Sequence, residues 1–212
     1  MGKSEEIKEK IMAATIDMLE KSNGKIENIT IRGIAQTVGI GTGLINYHFG
    51  TKENLIEQCV QRIIQDVITV FKPQMQKGLD ETGRLKETAK QVMDFLAKNP
   101  EISKISILGD MVNPMILDNT TKTVMGFLTV MEPEKKQAKL LTYCFTLILQ
   151  GLFLRKEITK NTVGFDFNCK AERDTFIDFI VDRMYGGISH ENANAERITA
   201  QRQHLVGNVC NT

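Results

Sequence analysis

The sequence contains no tryptophan, only four prolines, and almost no segments in which polar and apolar residues alternate. Apolar residues at helical spacing instead recur from one end of the chain to the other, which predicts an all-α fold. With 212 residues and 42% hydrophobic content, the chain is long enough to bury a core. We expect two unequal domains, a small N-terminal headpiece and a larger helical body.

The cysteines are few and include no CxxC pair, which leaves no zinc-binding or thioredoxin-like motif. They lie far apart, at Cys59, Cys144, Cys169 and Cys210. Since no cluster of His, Cys and carboxylates is present either, we expect no metal and no cofactor. The N-terminal stretch has acids where a signal peptide is apolar, and no later run approaches the roughly 20 apolar residues of a membrane span. These features predict a soluble cytoplasmic protein that does not contact a membrane.

The net charge is close to zero, because 27 Lys and Arg residues oppose 26 Asp and Glu residues and leave a formal charge of +1. The chain therefore lacks a global basic field, and any DNA-binding site must be local. Residues 28–52 form a candidate for such a local site. They include Arg32, His48 and Lys52 but no Asp or Glu, so DNA phosphates would meet no repulsion there.

Two short helices separated by a tight turn are predicted in the same segment. The first follows Thr30 and has the apolar spacing of one buried face up to Gly39, a typical C-terminal cap. The second runs from about Thr42 to His48. Such a pair can place its second helix in the major groove of DNA. With a first helix that begins near Ser4, its expected N-cap, the pattern predicts a three-helix helix-turn-helix headpiece over residues 1–50.

The stretch from 31 to 56 is similar to the signature of TetR-family transcriptional regulators in the order and spacing of its residues. The matching positions are Ala35, Gly39, Ile40, Gly43, Tyr47, His48, Phe49, Thr51, Lys52, Glu53 and Leu55. The similarity covers about the first 60 to 70 residues, whereas the body is similar only in length and helical character. Three departures from the signature, at Gly41, Leu44 and Asn46, change the hydrogen-bonding groups that would face DNA.

The resemblance implies a DNA-binding surface made of Thr30, Arg32, Thr42, Gly43, Leu44, Asn46, Tyr47, His48 and Lys52. Arg32 lies where a helix N-terminus attracts phosphate, or alternatively reaches a guanine edge. Thr42 and Asn46 share one helix face, and an Asn side chain can pair with adenine through two hydrogen bonds. Tyr47, His48 and Lys52 match family positions that hold the DNA backbone. Taken singly, these are ordinary surface or packed residues, and their order within the motif favours the DNA-binding interpretation.

A long helix over 51–72 is predicted to connect the headpiece with the body. Its apolar residues form two adjoining stripes, so we expect neighbours on two sides. The stripes are Leu55, Cys59, Ile63, Val67 and Ile56, Val60, Ile64, Ile68. The ligand-binding and dimerisation domain extends over 51–186, with further helices near 84–98, 101–111, 114–130, 133–157 and 171–186. Residues 187–212 are predicted to form a polar tail.

Two segments of the body are more apolar than a solvated helix. Leu140–Leu154 is apolar at twelve of fifteen positions, and Phe176–Tyr185 is similar. The resemblance implies that these helices form the four-helix interface of a homodimer, and the alternative is that they are the core helices of a monomer. A ligand pocket is expected between the connecting helix and the body. Its candidate lining residues, each equally an ordinary core residue, are Met93, Phe95, Met111, Met115, Met125, Phe127, Met131, Thr146 and Gln150.

These features predict a ligand-responsive transcriptional regulator, a repressor that a small apolar or amphipathic molecule releases from double-stranded operator DNA. Two alternatives are a helical-bundle enzyme and a helical protein-binding adaptor without a DNA role. The enzyme has little support, because the sequence lacks a Glu-x-x-His metal pair, a phosphate-binding glycine loop and a nucleophile motif. We therefore predict that the chain is not an enzyme. Steep salt dependence of binding would distinguish DNA binding from the adaptor.

Overall fold

A computed structural model describes residues 2–22, 26–72, 78–131 and 136–186 of the chain. These ranges contain helices and no strand, so the predicted all-α fold is confirmed. The helices are α1 (Lys3–Lys21), α2 (Ile31–Val38), α3 (Thr42–Phe49), α4 (Lys52–Val70), α5 (Glu81–Lys98), α6 (Pro100–Val112), α7 (Asn119–Met131), α8 (Lys136–Leu154), α9 (Lys156–Val163) and α10 (170–186). A short 3-10 turn, Ile26–Asn28, precedes α2. The tail predicted over 187–212 lies outside the described residues.

Side-chain caps explain where α2 and α4 begin. Thr30 Oγ1 accepts a hydrogen bond from Gly33 N at 3.0 Å, and Thr51 Oγ1 accepts one from Asn54 N at 3.1 Å. Each bond satisfies an amide that the first turn of a helix would otherwise leave unpaired. The start of α1 differs from the prediction, because its N-cap is Gly2, without a side-chain hydrogen bond, and Ser4 lies inside the helix.

Two helix boundaries predicted for the body were wrong. The helix expected over 133–157 ends at Leu154, and the separate helix α9 begins at Lys156. The break falls where the apolar sequence of α8 gives way to the polar sequence of α9, which has no buried residue. The helix expected to begin near 114 begins only at 119. There the Asp118 carboxylate accepts a hydrogen bond from Thr121 N at 2.7 Å and caps the first turn of α7.

The buried side chains form two hydrophobic clusters. The first joins α1, α2, α3 and the N-terminal part of α4, and consists of Ile11, Met12, Leu19, Ile29, Ile34, Ala35, Ile45, Phe49, Leu55, Ile56, Cys59, Val60 and Ile64. The second joins α5, α6, α7, α8 and α10 around Met93, Phe127, Phe145, Ile177 and Tyr185. Because α4 packs on α1 and also on α6 and α7, it has neighbours on both of its apolar stripes, as predicted.

Helix α8 is long and apolar enough, by length and composition alone, to cross a membrane. This corrects the expectation that no run of the sequence approaches that length. The polar side chains of α8 have partners inside the protein, however. Tyr185 Oη donates a hydrogen bond to Thr142 Oγ1 at 3.1 Å, and Gln150 Nε2 donates one to Thr120 Oγ1 at 3.0 Å. Such partners on α7 and α10 are typical of a helix that packs in a protein core.

Candidate functional site

A tight turn positions α3 beside α2. Gly39 has a φ of 75°, a left-handed conformation that favours glycine. Gly39 N and Ile40 N both donate hydrogen bonds to Ala35 O, at 2.9 and 3.0 Å, and so close the C-terminus of α2. Ile45 and Phe49 of α3 are buried in the first hydrophobic cluster. These contacts anchor one side of α3 to the headpiece and leave its other side facing outward.

The outward side of α3 carries most of the residues predicted to read DNA. Thr42 and Asn46 are exposed and lie four residues apart, so they share a face. Tyr47 is 80% exposed, and the centroid of its ring lies 5.2 Å from that of the His48 ring in an edge-on contact. Leu44 and His48 are half-buried. This face can therefore meet an external partner without any change in the headpiece core.

The first turn of α3 is also accessible. Its N-cap, Gly41, makes no side-chain hydrogen bond, so the amides of this turn keep their affinity for an anion. A Cβ added to Gly43 would meet nothing within 4 Å, which means that packing inside the protein does not require glycine at this position. The turn has room for a DNA backbone to approach closely.

The three predicted residues outside α3 differ in their surroundings. Arg32 is exposed and takes part in none of the ion pairs of the described ranges. Lys52 is half-buried, and its Nζ donates a hydrogen bond to Ile26 O at 3.2 Å. This bond, which the sequence did not predict, ties the 3-10 turn to the start of α4. An ammonium group has three donors, so Lys52 keeps two of them. Thr30 Oγ1 caps α2 and keeps its hydroxyl proton.

A second candidate site is an apolar cavity of about 170 Å³ between α4, α5 and α7, which we call the effector cavity. Its lining residues are Ile64, Val67, Ile68, Phe71, Thr88, Val92, Phe95, Leu96, Lys122, Thr123, Gly126, Phe127, Thr129 and Val130. One wall of the cavity thus belongs to α4, the helix that also completes the headpiece core.

Of the residues predicted to line a ligand pocket, the structure brings Phe95 and Phe127 to the effector cavity. The others lie elsewhere: Met93, Met131, Thr146 and Gln150 are buried in the body, and Met111, Met115 and Met125 are exposed. Thr146 Oγ1 donates to Thr142 O within its own helix. The α4 residues of the cavity were missed, as were Thr88, Val92 and Leu96 of α5, although the second apolar stripe of α4 was a signal that part of the wall would come from that helix.

A buried polar network connects the first turn of α7 with α4. Gln61 of α4 donates from Nε2 to Asp110 Oδ1 at 3.0 Å, and its Oε1 accepts from Asn119 Nδ2 at 2.6 Å. Asp110 Oδ2 accepts from the amide and the hydroxyl of Thr120, at 2.7 and 2.8 Å. Burial raises the pKa of the Asp110 carboxyl, and the bonds from Thr120 partly oppose this shift. The network links α4 to a helix that forms another wall of the effector cavity.

The outer faces of α8 and α10 carry large apolar side chains that the described part of the chain leaves exposed. They are Leu140, Tyr143 and Leu147 on α8 and Phe179 on α10. The spacing on α8 places its three residues along one side of the helix. Gly151 continues that side, and a Cβ added to it would meet nothing within 4 Å. Another helix can therefore approach α8 closely there.

An anchored helix pair with an outward-facing second helix, built on a larger helical body, defines a helix-turn-helix regulator. Residues 25–59 match the model of the tetR family of bacterial regulatory proteins. The headpiece is therefore a TetR-type DNA-binding domain, and this match supports a TetR-family transcriptional regulator. This assignment confirms the family resemblance found in the sequence and the prediction that the chain is not an enzyme.

Curated relatives match about half of the chain. The nucleoid occlusion factor SlmA of Serratia proteamaculans is 28% identical over 109 residues, which make up 50% of this chain and 54% of that protein. SlmA of Klebsiella pneumoniae is 26% identical over 98 residues, 46% of this chain and 49% of that protein. The chain therefore spans about half the length of the curated relatives that it matches.

Two solved structures share the fold over most of the chain. A TetR-family transcriptional regulator from Streptomyces coelicolor has a TM-score of 0.57 and 17% identity, covering 94% of this chain and 90% of that one. A TetR variant from Acinetobacter baumannii AYE in complex with minocycline has a TM-score of 0.51 and 17% identity, covering 85% and 94%. At these identities the likeness concerns the fold alone.

Proposed function

We propose that the protein is a ligand-responsive repressor that binds operator DNA as a homodimer and releases it when a small apolar or amphipathic molecule occupies the effector cavity. One observation carries this proposal. Helix α4 completes the headpiece core through Leu55, Ile56 and Val60, and it forms a wall of the cavity through Val67 and Ile68. A molecule in the cavity therefore touches the helix on which the headpiece is built.

The surface around α3 supports double-stranded DNA as the partner of the headpiece. Thr42 and Asn46 offer exposed hydrogen-bonding groups that suit base edges in the major groove. Tyr47 and His48 flank this face and suit backbone contacts, which set orientation rather than sequence preference. Because residues 28–52 contain no acid, the phosphates on either side of the groove meet no negative charge from this segment.

We expect Lys52→Ala and Arg32→Ala to weaken operator binding through the loss of different contacts with DNA. If Lys52 neutralises one phosphate, its loss lowers the slope of log affinity against log salt by about one and weakens binding to every sequence alike. Arg32 is exposed and can also reach a guanine edge. Loss of that contact would cost about 1 to 3 kcal/mol at a single operator position. Titrations of operator and scrambled DNA at several salt concentrations separate the two effects.

The hydrogen bond from Lys52 to Ile26 O requires a control, since its loss also loosens the start of α4. Lys52→Arg keeps the positive charge, and thermal unfolding of each variant reports on the headpiece itself. Identical, sequence-independent losses in Arg32→Ala and Lys52→Ala would reject base reading by Arg32.

The exposed apolar faces of α8 and α10 support the homodimer. In a two-fold symmetric dimer of a helix-turn-helix regulator, the two recognition helices, here the two copies of α3, enter successive major grooves about 34 to 36 Å apart. A symmetric partner would cover Leu147 and Phe179 with its own copies of the same residues. Exposed apolar patches rimmed by polar residues typically mark such interfaces.

Leu147→Glu is expected to convert the dimer into a monomer, because the two-fold symmetry would bury two like charges at one interface. Light scattering at micromolar concentration measures the change in mass. Val163→Glu is the matched control, since Val163 is an exposed apolar residue on α9, outside the proposed interface. Cys144 lies on the Leu147 side of α8 and is exposed in the single chain, so maleimide should label it in Leu147→Glu and not in the wild-type dimer. A wild-type monomer would contradict the assignment.

Release of DNA follows if the effector favours a tilt of α4. Two recognition helices lose their register with successive grooves when each α4 tilts, without unfolding of either headpiece. A ligand can cause this only by binding the tilted state more tightly, and DNA must then weaken ligand binding by the same factor. Titration of a ligand found by thermal-shift screening, with and without operator DNA, tests the mechanism. Equal affinities in the two titrations would refute it.

We also place the protein in the cytoplasm, without a membrane contact. Cys144 and Cys169 are free and exposed, which fits a reducing compartment. The polar partners of α8 on α7 and α10 favour a core helix over a membrane span. Fractionation of cells followed by detection of the chain checks this placement.

A second candidate function is that the body binds a protein partner while the headpiece binds DNA. It is favoured by a run of exposed apolar residues at the end of α6 and after it: Leu108, Met111, Val112, Met115, Ile116 and Leu117. The double variant Ile116→Ser/Leu117→Ser tests it. If a partner binds here, the variant loses regulation in cells and keeps operator affinity and ligand response with purified components. Unchanged regulation rejects this candidate.

A further inference from the structure

The effector cavity offers a ligand very few hydrogen-bond donors. Its walls are apolar except for three threonines and Lys122. Each threonine hydroxyl already donates its one proton to a carbonyl of its own helix: Thr88 to Arg84 O at 2.8 Å, Thr123 to Asn119 O at 2.9 Å and Thr129 to Gly126 O at 2.7 Å. Among the lining side chains that the structure describes, the Lys122 ammonium is therefore the donor left for a ligand.

Lys122 has no counter-ion in the described ranges, because none of their ion pairs involves it. Two nearby acids, Asp110 and Asp118, are already bonded to the start of α7. Asp110 accepts from Thr120 N at 2.7 Å, and Asp118 accepts from Thr121 N at 2.7 Å. Lys122 thus lines the apolar cavity without an ion-pair partner in the described ranges, and it also lines a neighbouring cavity that contains Glu57, Asp110 and Asp118.

We infer that the effector is an anion, a small molecule whose apolar body fills the effector cavity and whose carboxylate or similar negative group pairs with Lys122. The inference rests on the proposed effector function of this cavity and names its ligand class. An apolar molecule that covers the cavity strips water from the Lys122 ammonium, and an unpaired charge loses free energy when it is desolvated. A carboxylate replaces that water with a charge-assisted hydrogen bond.

The volume of the cavity limits the apolar part of the ligand. A cavity of about 150 Å³ in another protein admits benzene, and this one measures about 170 Å³. The apolar body therefore corresponds to a single aromatic ring or a short aliphatic chain. Arylalkanoates and medium-chain fatty acids both combine such an apolar body with a carboxylate. One probe from each of these two compound classes distinguishes them.

The test measures the binding of four probes to the full-length protein by isothermal titration calorimetry: 4-phenylbutyrate, octanoate and their two primary amides. Each amide keeps the apolar body of its acid and lacks the charge. We expect at least one acid to bind about tenfold or more tightly than its amide, since hydrogen bonds between charged groups are stronger than neutral ones. The acid that binds more tightly shows whether the cavity prefers an aromatic or an aliphatic ligand.

Two lysine variants locate the charge that selects the acid. Lys122→Gln should reduce the affinity of the acid to that of its amide and leave the affinity of the amide unchanged. Lys104→Gln changes an exposed lysine of α6 outside the cavity and should preserve the tenfold ratio. Equal affinities of acid and amide for the wild-type chain would overturn the inference. A ratio that survives Lys122→Gln, or an absence of binding by both acids, would overturn it as well.

Gly126→Leu separates this inference from the proposed function. Gly126 lines the cavity, and a Cβ added to it meets nothing within 4 Å, so a leucine can be accommodated and occupy the ligand's space. We expect the variant to lose binding of every probe that the wild type binds. If acid and amide bind equally and Gly126→Leu abolishes both, the effector site stands and its anionic ligand is rejected. If Gly126→Leu leaves all binding unchanged, the proposed use of the cavity is rejected too.

Discussion

The double variant Thr42→Ala/Asn46→Ala is expected to lose specific operator binding by about a hundredfold or more. A good contact between a side chain and a base edge contributes about 1 to 3 kcal/mol of discrimination, and contacts at separate base pairs add approximately. Both residues are exposed on the outward face of α3. Their truncation should therefore change the free energy of unfolding by no more than about 0.5 kcal/mol.

The measurement is a fluorescence anisotropy titration at fixed salt, on an operator selected from random DNA and on a scrambled duplex. Specific affinity should fall while affinity for the scrambled duplex stays within a few-fold, because phosphate contacts carry the non-specific part of binding. Gln36→Ala is the matched control, since Gln36 is an exposed polar residue of α2 and not of α3. An equal loss on both duplexes would show that α3 holds the backbone and does not read bases.

The headpiece could be predicted from the sequence because its determinants are local. Thr30 caps the helix that begins at the next residue, and Gly39 closes it eight residues later. The turn and the buried positions of α3 follow within the next ten residues, so each element lies close in sequence to the residues that fix it. The structure adds one contact of longer range, from Lys52 to Ile26 O, which no local pattern indicates.

The effector cavity could not be predicted in the same way, because its walls come from three separate helices. Helical spacing identifies Met111 and Met125 as apolar residues of helices, but the side of a helix that turns inward depends on partners far away in the sequence. Both face outward. Met115 was assigned to a helix, whereas it lies before the Asp118 cap, in the segment between α6 and α7. The sequence alone gives no reason to single out Lys122, because only the fold places this residue beside the cavity.

Helix α4 also meets α6 at close range, and the contact involves the polar network described above. A Cβ at Gly109 of α6 would lie 2.7 Å from Glu57 Oε1 and 2.8 Å from Gln61 Nε2. Glycine at this position therefore lets α6 lie against the polar side chains of α4, next to the residues that bond to α7. Since Gln61 is shared by these contacts, a shift of α7 reaches α4 through hydrogen bonds as well as through apolar packing.

We expect a second large effect from Asn119→Ala, which should uncouple effector binding from DNA release. Asn119 Nδ2 donates to Gln61 Oε1 at 2.6 Å, to Gln61 O at 3.1 Å and to Ser106 Oγ at 3.2 Å. Its removal cuts the direct polar link between α7 and α4 and leaves Asp110 in place to cap α7. The ratio of ligand affinities without and with operator, typically about 5 to 150 where two sites are coupled, should fall toward one.

Ligand affinity of the free protein should stay within a few-fold of the wild-type value, because Asn119 does not line the effector cavity. Operator affinity without ligand should stay close to wild type too, since α3 is untouched. Stability should drop by about 1 to 3 kcal/mol, because acceptor groups on Gln61 lose a buried partner. Titrations of the tightest-binding probe with and without operator measure the ratio, and Asn113→Ala, an exposed asparagine just after α6, is the control. A ratio that stays at the wild-type value in Asn119→Ala would mean that the Asn119 bonds do not transmit the signal, which leaves apolar packing between α4 and α7 and the bonds through Asp110 as the routes.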